Sequence, residues 1–564
     1  EARACGGRGM GSWPSKAAGH SDSTLILWIR SCGGWVHSNI EIREGDKGER
    51  AVFIREGVGP IRAGSDLFRI PLNLLLTLER AKRETSLGSQ FFKSLNAKSH
   101  AQDHTILACW ILQERLQGKK SFWHPYISSL PKNPPGLSLL HGALTQDDDA
   151  KRRINIDDEL RGTLAGKEVK AFAEIIHDDF KSLCSEDEIF KQNINLKDFV
   201  WARFMVSSRV FRLDWESMAA VSSSSNEEGA TMLTMVPLAD MLNHSEDHNC
   251  DWRFMKSRLA KTAHFRMTAR EGGIGSGVEA CDTYGKKPNH IFLAHYGFAL
   301  PKNRRDMAEI VIHLSQDGVD MKTRNCENKE SCLATTTKKE NNKFYDNLRK
   351  RMMHHKREMS GLLTLSGGEH EESENVEVAS RRIRQQIRNS SMEGSVITQP
   401  ASNNLADILT FLRLEVASSE KLEEISGIKT LKELLTCEEK NRLGGDYSSL
   451  AKQVRVVKPL GIREEKLVLK RFCCCLRSVL NNNRHSSCDG NLDFLSRQFC
   501  AVARASERFI LREHLNFFSR IENILMLSRK DAKASLDEIS NSTQVYGRLV
   551  ENYIVRELIP LLSE

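Results

Sequence analysis

The period of apolar positions changes several times along the chain. From 35 to 77 the pattern is that of short strands. Val36, Ile40 and Ile42 alternate in part, and Ala51-Val-Phe-Ile and Leu67-Phe-Arg-Ile are compact apolar runs separated by Gly57, Gly59 and Gly64. From 100 to 215 the spacing becomes helical. Ile106, Leu107, Trp110, Ile111 and Glu114 share one face, as do Leu160, Leu164, Phe172, Ile175, Ile176, Phe180 and Leu183, and then Trp201, Phe204, Met205, Ser208 and Phe211. Two prolines and three aromatics interrupt this region in Ser121-Phe-Trp-His-Pro-Tyr-Ile-Ser-Ser-Leu-Pro131. The serine-rich stretch 221–230 reads as a flexible loop.

Strand character returns over 231–315, with a clean alternation in His264-Phe-Arg-Met-Thr-Ala and a further strand at Ile310-Val-Ile-His-Leu. The glycines between 272 and 277 fail as a phosphate loop, because a strand rather than a helix is expected after them. Residues 316–400 carry charge runs and read as a solvated linker holding one helix. From 401 to 564 helical stripes recur, among them Leu405, Ile408, Leu409 and Leu412, then Val468, Phe472, Leu476 and Leu480. Such stripes are core packing.

The picture is therefore α+β: strands, a helical insertion, strands, a linker and an all-α C-terminal part. At 564 residues the chain is too long for one ordinary domain. The net charge of +8 is small for this length, so it does not require nucleic acid and suits an acidic protein partner. Fourteen cysteines include no C-x-x-C pair and point to a reducing compartment. No run of eighteen apolar residues exists, so no membrane span is expected. The chain opens on Glu1, so a start upstream or processing is expected. Residues 1–30 read as a disordered or targeting extension.

Two runs stand apart: Met235-Val-Pro-Leu-Ala-Asp-Met-Leu-Asn-His244 and Tyr284-Gly-Lys-Lys-Pro-Asn-His-Ile-Phe-Leu-Ala-His-Tyr-Gly-Phe298. Each sets polar groups at fixed points in an apolar stretch. Buried polar groups need partners, since an unmet one costs about 1–3 kcal/mol. A metal site at His244, His248 and Cys250 has only three ligands at irregular spacing, and no metal is expected.

With Phe68-Arg-Ile-Pro-Leu-Asn-Leu-Leu-Leu-Thr77, the proline-broken block 121–131 and Ser208-Arg-Val-Phe211, these runs form five blocks in a fixed order. In that order the chain resembles SET-domain methyltransferases of the Rubisco large-subunit methyltransferase class, which also includes the actin-histidine methyltransferase. The resemblance covers about 35–315 and extends faintly over 401–564. It implies a pseudoknotted SET β-fold over 31–315, a helical insertion at about 86–230, and a helical substrate-binding domain at 401–564.

The resemblance further implies methyl transfer from S-adenosylmethionine to a nitrogen of a protein substrate, usually lysine, without metal. Tyr284 matches the catalytic tyrosine. Asn243, His244 and Arg209 match cofactor-binding positions. Arg50 and Ala51 stand where the family has a Gly-x-Gly turn, and Gly57-Val-Gly59 offers a shifted alternative. Asp240, Tyr296 and Trp252 match substrate-channel positions. Arg212 lies one place off a second family arginine, where this chain has Leu213. The implied reading is a protein-lysine N-methyltransferase for a non-histone protein. The alternatives are a protein-histidine N-methyltransferase or a decayed binding module. A monomer is expected, without nucleic acid or membrane, in cytoplasm or nucleus, with a plastid as the alternative.

Overall fold

The computed structural model describes residues 20–45, 50–94, 101–144, 159–214, 231–257, 262–310, 312–313, 348, 364–366, 395–396, 404–426, 457–482, 492–542 and 550–563. The loop 221–230 and most of 316–400 lie outside them.

The strand-patterned segments fold as small sheets. Strands β1 (Trp35–Val36), β4 (Asp66–Pro71), β9 (Cys250–Ser257) and β10 (Thr262–Ala269) make one antiparallel sheet in the order β1-β4-β10-β9. Strands β2 (Ile40–Glu44) and β3 (Arg50–Ile54) form a hairpin, and β5 (Leu76–Thr77), β7 (Thr231–Met235) and β6 (Val210–Asp214) a third sheet. In β10 burial alternates, with Phe265 and Met267 buried between half-buried neighbours, whereas in β4 the consecutive Asp66, Leu67 and Phe68 are all buried and only Arg69 is exposed.

The parallel pair β8 (Asn243–His244) and β11 (Cys281–Asp282) joins the two runs. Asn243 lies opposite Cys281, and His244 opposite Asp282. Parallel neighbours require a crossover, and here β9 and β10 supply it.

The helical insertion packs beside this frame. Its longest helix is Leu164–Glu186, and the helix Leu196–Arg209 runs directly into β6. Phe211, which the sequence spacing places on that helix, is the second residue of β6 instead. Asn195 caps the helix start, and the extended backbone at Val210 ends it. The stretch expected as an extension also differs. His20–Ser31 is a helix whose Leu25, Trp28 and Ile29 are buried, with Trp28 edge-on to Trp123 at 5.7 Å.

Two cores result. One spans the sheets and the insertion. The second holds the C-terminal helices Asn404–Val416, Ile462–Asn482, Phe494–Leu525 and Arg529–Ser542. This second core already includes Ala308 and Ile310, so the C-terminal unit begins inside the segment expected to close the β domain. Strand β12 (Met307–Glu309) pairs with β14 (Thr364–Ser366), and β13 (Ile312–His313) with β15 (Ser395–Val396). The expected linker therefore contributes strands.

The long helix Phe494–Leu525 holds the halves together. Glu507 accepts from the amides of Leu164 and Ala165 at 2.8 and 3.0 Å, where the insertion helix begins. Ser496 accepts from the Gly136 amide at 2.9 Å. Gly136 in turn lies against Gly297. A Cβ on Gly297 would meet the Pro135 carbonyl at 1.9 Å, and its φ is +81°, so only glycine serves there.

Candidate active site

The site lies where the two runs adjoin. Just ahead of it, Leu238 is fully buried with φ 74°, a backbone state that costs a non-glycine residue about 1–3 kcal/mol. That turn starts the short 3-10 segment Ala239–Met241, which buries Asp240.

Asp240 accepts from the Tyr126 hydroxyl at 2.6 Å. Arg209, the last residue of its helix, donates from Nη1 to the Asp240 backbone carbonyl at 2.6 Å and stands 3.6 Å from the carboxylate. Burial pushes the Asp240 carboxyl up against the pull of Arg209, Tyr126 and Arg50. It also pushes the Tyr126 hydroxyl up, together with Asp240 itself. Two buried atoms of this group have no hydrogen-bond partner among the described residues: Nε of Arg209 and Oδ1 of Asp240.

Arg50 and Ala51 open β3. Arg50 donates to the Ser129 carbonyl, so this end of the strand faces the Tyr126 segment. Ala51 is buried in the hairpin opposite Arg43, and its φ is not positive, so the missing glycine leaves no backbone strain there. Gly57-Val58-Gly59 lies beyond the other end of β3. The Gly57 amide donates to Ser276 at 3.0 Å, and the Gly59 carbonyl accepts from Asn39 at 2.9 Å.

Asn243 donates to Glu279 at 2.8 Å. Glu279 and Asp282 make their strand unusually polar for a core segment. Glu279 pairs across to Phe53 of β3 and receives Asn243, while the Asp282 carbonyl accepts the Ser245 amide at 3.0 Å. His244 accepts the Tyr284 amide on Nδ1 at 3.1 Å, so a neutral ring carries its proton on Nε2. Burial, then the nearby Lys287 charge, lowers the His244 pKa to about 4.

The Tyr284 hydroxyl donates to the Leu242 carbonyl at 2.7 Å. Burial pushes this phenol well above its ordinary range, so it stays protonated. Its ring stacks on Tyr296 at 5.2 Å and on His244 at 5.4 Å. Phe292 and Phe298 stack on each other at 4.8 Å and complete an aromatic lining. Tyr296 ends a π-helical turn, Phe292–Tyr296, which closes on Gly297. His295 fixes that turn to the insertion, contacting Ser207 at 3.1 Å and Glu168 at 2.9 Å.

The structure therefore brings together Arg209, Asp240, Asn243, His244, Tyr284 and Tyr296, with Arg50 nearby. Arg212 is exposed, and its charge bears on both Tyr296 and Lys287. Trp252 lies elsewhere in the frame, stacked on Phe265 at 5.5 Å and edge-on to Phe211 at 5.6 Å. His248 contacts Arg270 at 2.9 Å.

Sequence reasoning missed Tyr126, Glu279, Lys287, Phe292 and Phe298 as site residues. Tyr126 stood inside a quoted block. The spacing of Phe292 and Tyr296, four apart, was the available sign of a shared face.

No family model matches the sequence. "Protein SET DOMAIN GROUP 40" of Arabidopsis thaliana is 24% identical over 266 residues, 45% of this chain and 51% of that protein. "N-lysine methyltransferase SETD6" of Mus musculus is 25% identical over 314 residues, 53% of this chain and 59% of that protein. The chain thus spans between half and three-fifths of the length of these curated relatives. The crystal structure of the SET domain of LSMT bound to lysine and AdoHcy superposes with a TM-score of 0.54 at 14% identity, covering 90% of this chain and 92% of that one. The chain has that SET fold with its helical C-terminal region, and the resemblance read from the five blocks holds.

Proposed function

We propose that this chain is an S-adenosylmethionine-dependent protein-lysine N-methyltransferase acting on a non-histone protein. The observation that carries the reading is a pairing of two half-sites beside Asn243-His244: a partly buried arginine whose buried Nε has no partner among the described residues, and a tyrosine whose hydroxyl is held by the Leu242 carbonyl in an aromatic lining.

The residues fit the cofactor at a specific point. An unmatched guanidinium donor beside a buried backbone carbonyl suits a carboxylate, which planar N–H donors hold well. Arg209 would take that carboxylate. Asn243 and His244 would contact the rest through side chain and backbone, with Arg50 and Ala51 at the start of β3. When bound, S-adenosylmethionine supplies a methyl group on a sulfonium centre.

The chain's own residues set up the acceptor. A free lysine has a pKa of about 10.4, so it must shed its proton before attack. The half-buried aromatic lining disfavours the charged form. Tyr284 is no base for that proton, because its hydroxyl is protonated and committed to Leu242. Its oxygen lone pairs remain free to orient the amine, and Tyr296 and Phe298 exclude water around it.

Asp240 and Tyr126 hold Arg209 from behind. Asp240 serves this reading as a positioning residue rather than as channel lining, since its carboxylate is buried against Tyr126.

We read the protein as a monomer of the cytoplasm or nucleus, with a plastid as the alternative. The fourteen cysteines include no C-x-x-C pair, which suits a reducing compartment. No helix among the described residues is long and apolar enough to cross a membrane.

Calorimetric titration with S-adenosylmethionine tests the reading. Saturable heat is expected, and none at millimolar cofactor would leave a non-catalytic binding module. Mass spectrometry of lysate proteins treated with the enzyme then reads lysine against histidine methylation.

A further inference from the structure

Among the described residues, Lys287 is the lysine that this chain folds into its own site. It follows Tyr284 by three residues, and its loop turns back so that Nζ donates to the Tyr284 carbonyl. The amine stands 5.6 Å from the centre of the Tyr296 ring, beside the Tyr284–Tyr296 stack. Gly285, with φ +88° in the region that L side chains rarely adopt, makes the turn that brings Lys287 back toward Tyr284.

We propose that Lys287 is an internal methyl acceptor, and that the protein methylates itself there. This rests on the function proposed above. The lysine already occupies the aromatic end where a substrate amine is expected, and its flexible stem allows the amine to leave the Tyr284 carbonyl and follow the tyrosine stack.

In the step, the neutral Nζ lone pair forms a bond to the methyl carbon of S-adenosylmethionine. The carbon–sulfur bond breaks, and its electron pair stays on sulfur, which becomes a neutral thioether. The nitrogen then releases one proton to water. Burial, and next the Arg212 charge, lower the Lys287 pKa to about 8, so a large share of the amine is neutral in mildly alkaline buffer.

The full-length chain is incubated with S-adenosylmethionine bearing a deuterated methyl, then digested and sequenced by mass spectrometry. The expected result is one deuterated methyl on Lys287, with labelling half-maximal near pH 8 and a first-order rate unchanged on serial dilution. Tyr284→Phe, with cofactor binding checked by calorimetry, should slow labelling by about 100-fold. Lys287→Arg should remove the labelled peptide.

Cofactor binding with Lys287 unmodified would overturn the proposal alone and leave Lys287 a loop staple. Label on the neighbouring Lys286, or a rate that grows with protein concentration, would overturn it as well. No cofactor binding at all would remove the proposed function along with it.

Discussion

Two arginines in this chain, Arg413 buried and Arg209 partly buried, each face a carboxylate and a tyrosine, and they are finished differently. In the C-terminal core, Arg413 donates to both oxygens of Glu465 at 3.0 and 2.7 Å, to the Val457 carbonyl at 2.7 Å, and to Glu557. The Tyr553 hydroxyl closes the group on Glu465 at 2.8 Å. In the site, Arg209 and Asp240 each keep one buried polar atom without a partner among the described residues. A buried group left unmet costs about 1–3 kcal/mol, so the second arrangement is hard to explain as a means to stability. The first cluster is complete as a strut. The second keeps the Arg209 Nε–H open, and under the proposed function the cofactor carboxylate would accept from it.

The sharpest way to break this contrast is at Arg413. Arg413→Leu leaves Glu465 buried with only the Tyr553 hydroxyl and no counter-charge, and a loss of about 3–5 kcal/mol is expected in urea unfolding. At the site, Tyr284→Phe should lower methyl transfer by about 100-fold, about 2.7 kcal/mol, while the calorimetric Kd for cofactor moves less than about threefold. Equal rates in the two proteins would take Tyr284 out of the mechanism.

Arg209→Leu should weaken cofactor binding by about tenfold or more, the loss of one charged hydrogen bond, and cost less stability than Arg413→Leu. If Arg209→Leu instead unfolds the chain as readily and leaves the affinity intact, the two clusters are alike and the contrast fails. The smallest effect belongs to Ala51→Gly. Restoring a glycine at a strand position that needs none should cost about 0.5–1 kcal/mol of stability and leave cofactor affinity unchanged.

The same contrast separates what the sequence disclosed from what it hid. Strand β10 was readable because its alternation over 264–269 sets one face against the core, and β4 because Leu67-Phe-Arg-Ile is a compact apolar run set off from its neighbour by Gly57, Gly59 and Gly64. Tyr284, Asn243, His244 and Arg209 were singled out because their surroundings repeat a family order. Phe211 was misplaced because its helical spacing continues past the residue where the helix stops. Strands β8 and β11 are two residues each, too short for any periodicity, and exist only through their mutual pairing. Tyr126 meets Asp240 across 114 positions of chain, a contact that no local pattern announces. The π-turn under Tyr296 is fixed from outside, by Glu168 and Ser207 on His295 and by the Pro135–Gly136 strap at Gly297.

That strap gives the C-terminal helix a wider meaning. Ser496 holds Gly136, Gly136 bears on Gly297, and Gly297 follows Tyr296 directly. Glu507 meanwhile closes the start of the insertion helix that anchors His295. The division drawn along the sequence is thus not a division of labour: a chain severed after residue 315 would part Tyr296 from its scaffolding, and its two fragments would be tools without handles.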